Sequence, residues 1–175
     1  MRSGAGFVCV AMLSGVVTAA WAGGGPSPKP RPGLIVPQKS IDVLALQMSP
    51  QTVKARLGRP QRVERSSESE TGRPIYDWIY TRRKLVATFR RIKGKRLALA
   101  GISTTNTRQR TRHGGRVGLT AGTLRARVPG LDCRSNGGSE RWCTLGASLP
   151  LGHPQTAFVL RKGRVREVSI LITWP

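Results

Sequence analysis

Cys133 and Cys143 are the side chains of this sequence best placed for a defined chemistry. The residues between them include Asn136-Gly137-Gly138, a natural turn between two antiparallel segments. The third cysteine, Cys9, lies in an apolar stretch near the start; if that stretch is removed, an even pair remains, and an oxidising compartment joins such pairs. A metal centre needs more ligands, and His113 and His153 stand at no usual ligand spacing from either cysteine. The reading is a Cys133–Cys143 disulfide and no metal.

Catalysis finds little support. Both histidines sit in loop-like contexts, His113 beside Gly114 and His153 between Gly152 and Pro154, and the 8 carboxylates are scattered. A hydrolase or transferase needs a base beside a nucleophile or a pair of acids, and no nucleophile elbow, P-loop or HExxH pattern occurs. The expectation is a protein that is not an enzyme and uses no cofactor.

Tyr76, Trp78 and Tyr80 share one face of a strand, with Ile75, Asp77 and Ile79 on the other. Two readings stay open. The rings can fill a small core, or they can anchor a binding surface, where Tyr, Trp and Arg are enriched. In the second case Arg82, Arg83, Arg90 and Arg91 supply a basic rim; in the first they are an ordinary solvated face. Trp142 adjoins Cys143 and is expected over the disulfide, and Trp174 is expected at a sheet edge or in a frayed end. Arg108, Arg110, Arg112 and His113, followed by Gly114-Gly115, read as a flexible basic connector that could contact phosphate or carboxylate.

These residues need a frame and a compartment. Met1-Arg2-Ser3, an apolar run to Ala20 and the small-x-small sequence Ala20-Trp21-Ala22 have the form of a cleavable export signal. Cleavage near Ala22 removes 22 of 175 residues, leaving 153, without Cys9 and without a second apolar run of membrane-spanning length. The chain is thus expected to be secreted or periplasmic. Its formal charge of +22 falls to +21 with the loss of Arg2, enough to draw polyanions. The basic residues are spread from Lys29 to Arg166, which favours a solvated basic surface over a specific nucleic-acid site. An arginine-rich chain also full of Ala, Gly, Pro and Val is what a GC-rich genome would encode, so the charge alone names no ligand.

Residues 23–37 contain GGGPSPKPRPG and read as a Pro/Gly-rich linker, with order starting near Leu34-Ile35-Val36. Two short helices are expected, one capped by Ser49 and ending at Leu57-Gly58-Arg59-Pro60, the other capped by Thr120 and ending at Val128-Pro129-Gly130. Two hairpins are expected, Leu85–Phe89 with Arg96–Ile102 around Gly94, and Thr156–Leu160 with Val165–Ile172 around Gly163. Leu124 follows Val53 by 71 positions and Phe158 follows Phe89 by 69, so an internal duplication is the economical account. The expected fold class is α+β, with two tandem repeats at 38–107 and 108–175, each a short helical segment followed by an antiparallel meander, the helices on one face of the sheet.

The order of these motifs resembles the beta-lactamase inhibitory protein-like group and its SmpA/OmlA (BamE) relatives. The residues that carry the resemblance are Leu57-Gly58-Arg59-Pro60, Tyr76-Asp77-Trp78-Ile79-Tyr80, Leu85-Val86-Ala87-Thr88-Phe89 and the hairpin closing Gly94 to Ile102, then a looser pass through Gly118-Leu119-Thr120, Val128-Pro129-Gly130, Cys133, Cys143 and Thr156-Ala157-Phe158. The resemblance implies a concave sheet surface that grips a protein, without catalysis. The first copy has no cysteine, and no lipid-bearing cysteine stands at the cleavage point. The expected function is a secreted, non-catalytic binding protein that grips a protein or an anionic envelope partner on its sheet. The alternative is a structural cell-envelope protein held to anionic polymers by nonspecific charge.

Overall fold

The computed structural model describes residues 31–92, 96–135, 140–146 and 152–172. The export-signal segment, the first part of the linker, Gly94, the Asn136-Gly137-Gly138 turn and Trp174 lie outside these. In chain order the elements are β1 (Leu34–Val36), β2 (Ser40–Ile41), β3 (Leu44–Ala45), α1 (Pro50–Leu57), β4 (Arg62–Ser67), β5 (Pro74–Tyr80), β6 (Leu85–Ile92), β7 (Arg96–Thr104), β8 (Arg110–Thr111), α2 (Ala121–Arg127), β9 (Asp132–Ser135), β10 (Glu140–Leu145), β11 (Pro154–Arg161) and β12 (Arg164–Ile172). A single 3-10 turn, Thr81–Arg83, joins β5 to β6.

The chain is mostly β, and this overturns the expected α+β class of helix-then-meander repeats. Strands dominate because the helices are too short to carry the core: α1 has 8 residues, α2 has 7, and each buries one apolar side chain, Val53 or Leu124. Full burial of such a side chain is worth about 1.5–3 kcal/mol. The strands contribute Phe89, Leu99, Ile102, Phe158, Leu160, Val168 and Ile170 to the same core. A second sheet, ordered β3-β2-β1-β8, also forms: β1 lies at the end of the 23–37 segment, where order is expected to begin, β2 and β3 lie ahead of the first helix, and β8 lies in the expected connector.

The large sheet has eight strands in the order β4-β5-β6-β7-β12-β11-β10-β9, antiparallel throughout. Strand order is symmetrical about the seam between β7 and β12, which pair only from Val168↔Thr104 to Leu171↔Gly101. Beyond the seam both strands have a free edge, and in each case the chain leading into a helix covers it. Gln47 donates to the Leu99 carbonyl and the Leu99 N–H to Met48, at 2.7 and 2.8 Å. On β12, Gly118 donates to the Val165 carbonyl and the Val165 N–H to Leu119, at 2.8 and 2.9 Å. Ser49 and Thr120 then cap the helices, their hydroxyls accepting from the N–H of Thr52 and Thr123.

One face of the large sheet carries the core. Tyr80, Leu85, Ala87, Phe89, Leu99, Phe158, Val168 and Ile170 pack there with Val53, Leu124 and the Ile35, Ile41 and Leu44 of the small sheet. Alternation puts Asp77, Thr88, Gly101, Ser103, Ala157 and Ser169 on the opposite face.

Candidate functional site

The aromatic strand is divided between core and rim. Tyr80 is 1% exposed, and its hydroxyl donates to the Gly58 carbonyl at 3.3 Å. Burial raises its pKa from 10.0, opposed by the nearby Arg83 charge. Trp78 and Tyr76 are half-buried on the same face. Trp78 lies 4.7 Å from the Phe89 ring, centroid to centroid, and the Arg65 guanidinium sits 5.7 Å from the Tyr76 ring centroid. Opposite Trp78 in the register stands Val63 on the edge strand β4, 53% exposed. The three rings are thus the outer end of the core rather than one exposed platform.

The four arginines that would rim a binding surface, or otherwise form a solvated face, lie at different places along β5 to β6. Arg82 and Arg83 are exposed in the Thr81–Arg83 turn. Arg90 points to the opposite face of β6 and pairs with Glu68 at 3.0 Å. Arg91 is exposed one position further along.

The disulfide joins Cys133 and Cys143, register partners on β9 and β10. Trp142 does not cover it. Successive side chains of a strand leave opposite faces, so with Cys143 buried in the core, Trp142 stands on the other side, across from Val159 and Arg134.

That other face holds a groove of about 410 Å³ along the β7–β12 seam. Gly101, Ser103 and Ser169 form its floor, Thr88 and Arg90 border it from β6, and Glu167 and Trp142 border it on the far side. Thr88 donates to the Asp77 carboxylate at 2.6 Å, fixing one wall. No helix of the described residues packs on this face; Val53 and Leu124 both join the opposite core. No local signal in the sequence marks the groove: its floor residues are small, and the seam pairs residues 64 to 70 positions apart, from Val168↔Thr104 to Leu171↔Gly101.

The segment read as a flexible connector is ordered instead. Gln109 and Thr111 are buried, 3% and 2% exposed, while Arg108, Arg110 and Arg112 alternate with them on the outside. β8 pairs in parallel with β1, and the Arg110 N–H donates to the Gly33 carbonyl. Thr111 closes the turn that follows, its hydroxyl accepting from the Gly115 N–H at 2.9 Å. A Cβ on Gly115 would lie 2.6 Å from Val128 Cγ2, so only glycine lets this turn seat against α2. His113 and His153 are both exposed and far apart in the chain. Among the described residues no three His, Cys, Asp or Glu side chains gather where they could hold a metal ion, and no helix is long and apolar enough to cross a membrane.

Comparison with known proteins adds little. No family model matches the chain, and no curated protein matches it. Among solved structures, an extracellular protein containing an SCP domain from Bacillus anthracis is similar over 73% of this chain and 44% of that chain, with 10% sequence identity and a TM-score of 0.45. The chain therefore spans less than half the length of that protein.

Proposed function

We propose that this is an exported, non-catalytic binding protein that grips an acidic protein partner on the helix-free face of its eight-stranded sheet. The observation that carries the reading is the groove at the β7–β12 seam. It is concave because its floor is Gly101, Ser103 and Ser169, and it is bordered by Trp142 and Arg90, residue types that dominate binding energy at interfaces. A formal charge of +22, or +21 once Arg2 is lost with the export signal, favours an acidic partner and speeds its encounter. Export is supported by the signal-like start of the sequence and by the Cys133–Cys143 disulfide, a bond that persists in oxidising compartments.

The test is capture from envelope extract with the purified protein beside two variants. Trp142→Ala removes an anchor, and Ser103→Trp fills the groove floor. The expected result is an acidic protein recovered by the parent and lost with both variants while each keeps the parent melting temperature. Equal recovery by the Ser103→Trp variant would sink the proposal. So would recovery of polyanions alone, released by moderate salt and indifferent to both substitutions.

A further inference from the structure

The fold brings a second surface together, on the small sheet and away from the groove. Arg108, Arg110 and Arg112 leave β8 and its flanks on the outer side, because Gln109 and Thr111 between them are buried. Arg116 is the antiparallel bridge partner of Arg110. Arg127 arrives from the last turn of α2, with Nη1 3.2 Å from the position a Cβ would take on Gly114. All five arginines line one open cavity of about 770 Å³, and no carboxylate lines it. The ion pairs among the described residues involve Arg62, Arg90, Arg134 and Arg161, none of these five.

Five like charges around one concavity repel one another, so the arrangement favours an occupant that neutralises several at once. The cations are all arginine, whose planar fork holds phosphate through two parallel hydrogen bonds where lysine offers a point charge. Apolar walls that would bury an organic body are nearly absent, Leu34 and Pro32 being the main ones. The scaffold is fixed by the β1–β8 pairing and by the Thr111–Gly115 turn, so the guanidinium groups start from ordered backbone.

We propose that this cavity is a binding site for a ligand carrying two or more phosphate groups, held by guanidinium–phosphate pairs from Arg108, Arg110, Arg112, Arg116 and Arg127. A free oligophosphate and a cluster of phospholipid headgroups share that chemistry, and the experiment separates them.

Binding of inorganic tripolyphosphate to the purified protein is measured by calorimetry, and binding of phosphatidylglycerol vesicles by co-sedimentation, with citrate as a carboxylate control. Three variants are compared. One carries Arg110→Gln, Arg116→Gln and Arg127→Gln; a second has Lys at those positions; a third makes the same charge change elsewhere, through Arg59→Gln, Arg96→Gln and Arg166→Gln. The expected result is one saturable site for at least one phosphate probe, weakened about a hundredfold by the cavity Gln variant and at least about tenfold by the Lys variant. The distant variant should lose less than about tenfold. Tripolyphosphate binding without vesicle binding assigns a free ligand, and vesicle binding without tripolyphosphate binding assigns a headgroup. Equal losses in the cavity and distant Gln variants, citrate binding as tight as the phosphate probes, or no binding of either phosphate probe would each overturn the proposal.

Discussion

Tyr80, which the sequence leaves open between core and binding surface, is buried in the core. Its ring lies in the core between α1 and the sheet, and its hydroxyl donates to the Gly58 carbonyl at the end of that helix. Burial raises its pKa, so the folded state keeps the proton to higher pH than the unfolded chain does. The stabilising contribution is full below about pH 10, the ordinary tyrosine value, and is lost as pH rises through the higher folded value. The parent should therefore lose melting temperature as pH rises above about 10 more steeply than Tyr80→Phe, which cannot ionise. Near pH 7 the variant should lie within about 1 kcal/mol of the parent, the usual net worth of one hydrogen bond. Parallel curves for the two proteins across the alkaline range would count against this account.

At the scale of elements, the two edges of the large sheet are kept from pairing with other chains by different means. β4 is exposed along its whole length and carries Arg62, Glu64 and Arg65, with the Arg62–Glu64 pair at 2.6 Å; charges on an edge strand discourage edge-to-edge pairing. β9, of only four residues, is tied to β10 by the disulfide. Replacing both cysteines with serine should lower stability by about 2–3 kcal/mol, the range for closing a loop of this length. Amide exchange in β9 and β10 should quicken first. An unchanged melting temperature would mean that β9 holds without the bond.

The elements legible in the sequence were those with local signals. Ser49 and Thr120 announce their helices, and alternation through Val168, Ile170 and Ile172 announces the core face of β12, where all three are buried. β1, β2 and β3 of the small sheet had no such signal. They are two or three residues long, and the turns between and after them use positive φ at Gln38, Asp42 and Gln47, residues that do not mark the left-handed region as glycine does. In the arginine cavity the alternation of Gln109 and Thr111 with three arginines was a strand signal, masked by the charge of the residues around it.

At the scale of the whole molecule, 30 basic residues face 8 acidic ones, and the described residues contain four ion pairs. Such a surface repels itself, and the repulsion falls as the Debye length shortens from about 30 Å at 0.01 M to about 8 Å at 0.15 M ionic strength. The melting temperature should therefore rise with sodium chloride over that range. The five-arginine cavity concentrates this repulsion, which separates two effects that salt alone would merge. Without a bound anion, the Arg110→Gln, Arg116→Gln, Arg127→Gln variant should melt at least as high as the parent at low salt, because it has lost repulsion and no ion pair, against one exposed hydrogen bond from Arg116 to the Thr107 carbonyl at 3.5 Å. With tripolyphosphate at a hundred times its dissociation constant, the parent should gain about 2.7 kcal/mol by mass action, and the variant should gain far less. The order of melting temperatures would then reverse between the two conditions. A variant that melts well below the parent without phosphate would show that these side chains stabilise the small sheet directly, and the cavity would then be a structural joint rather than a site held open for a ligand.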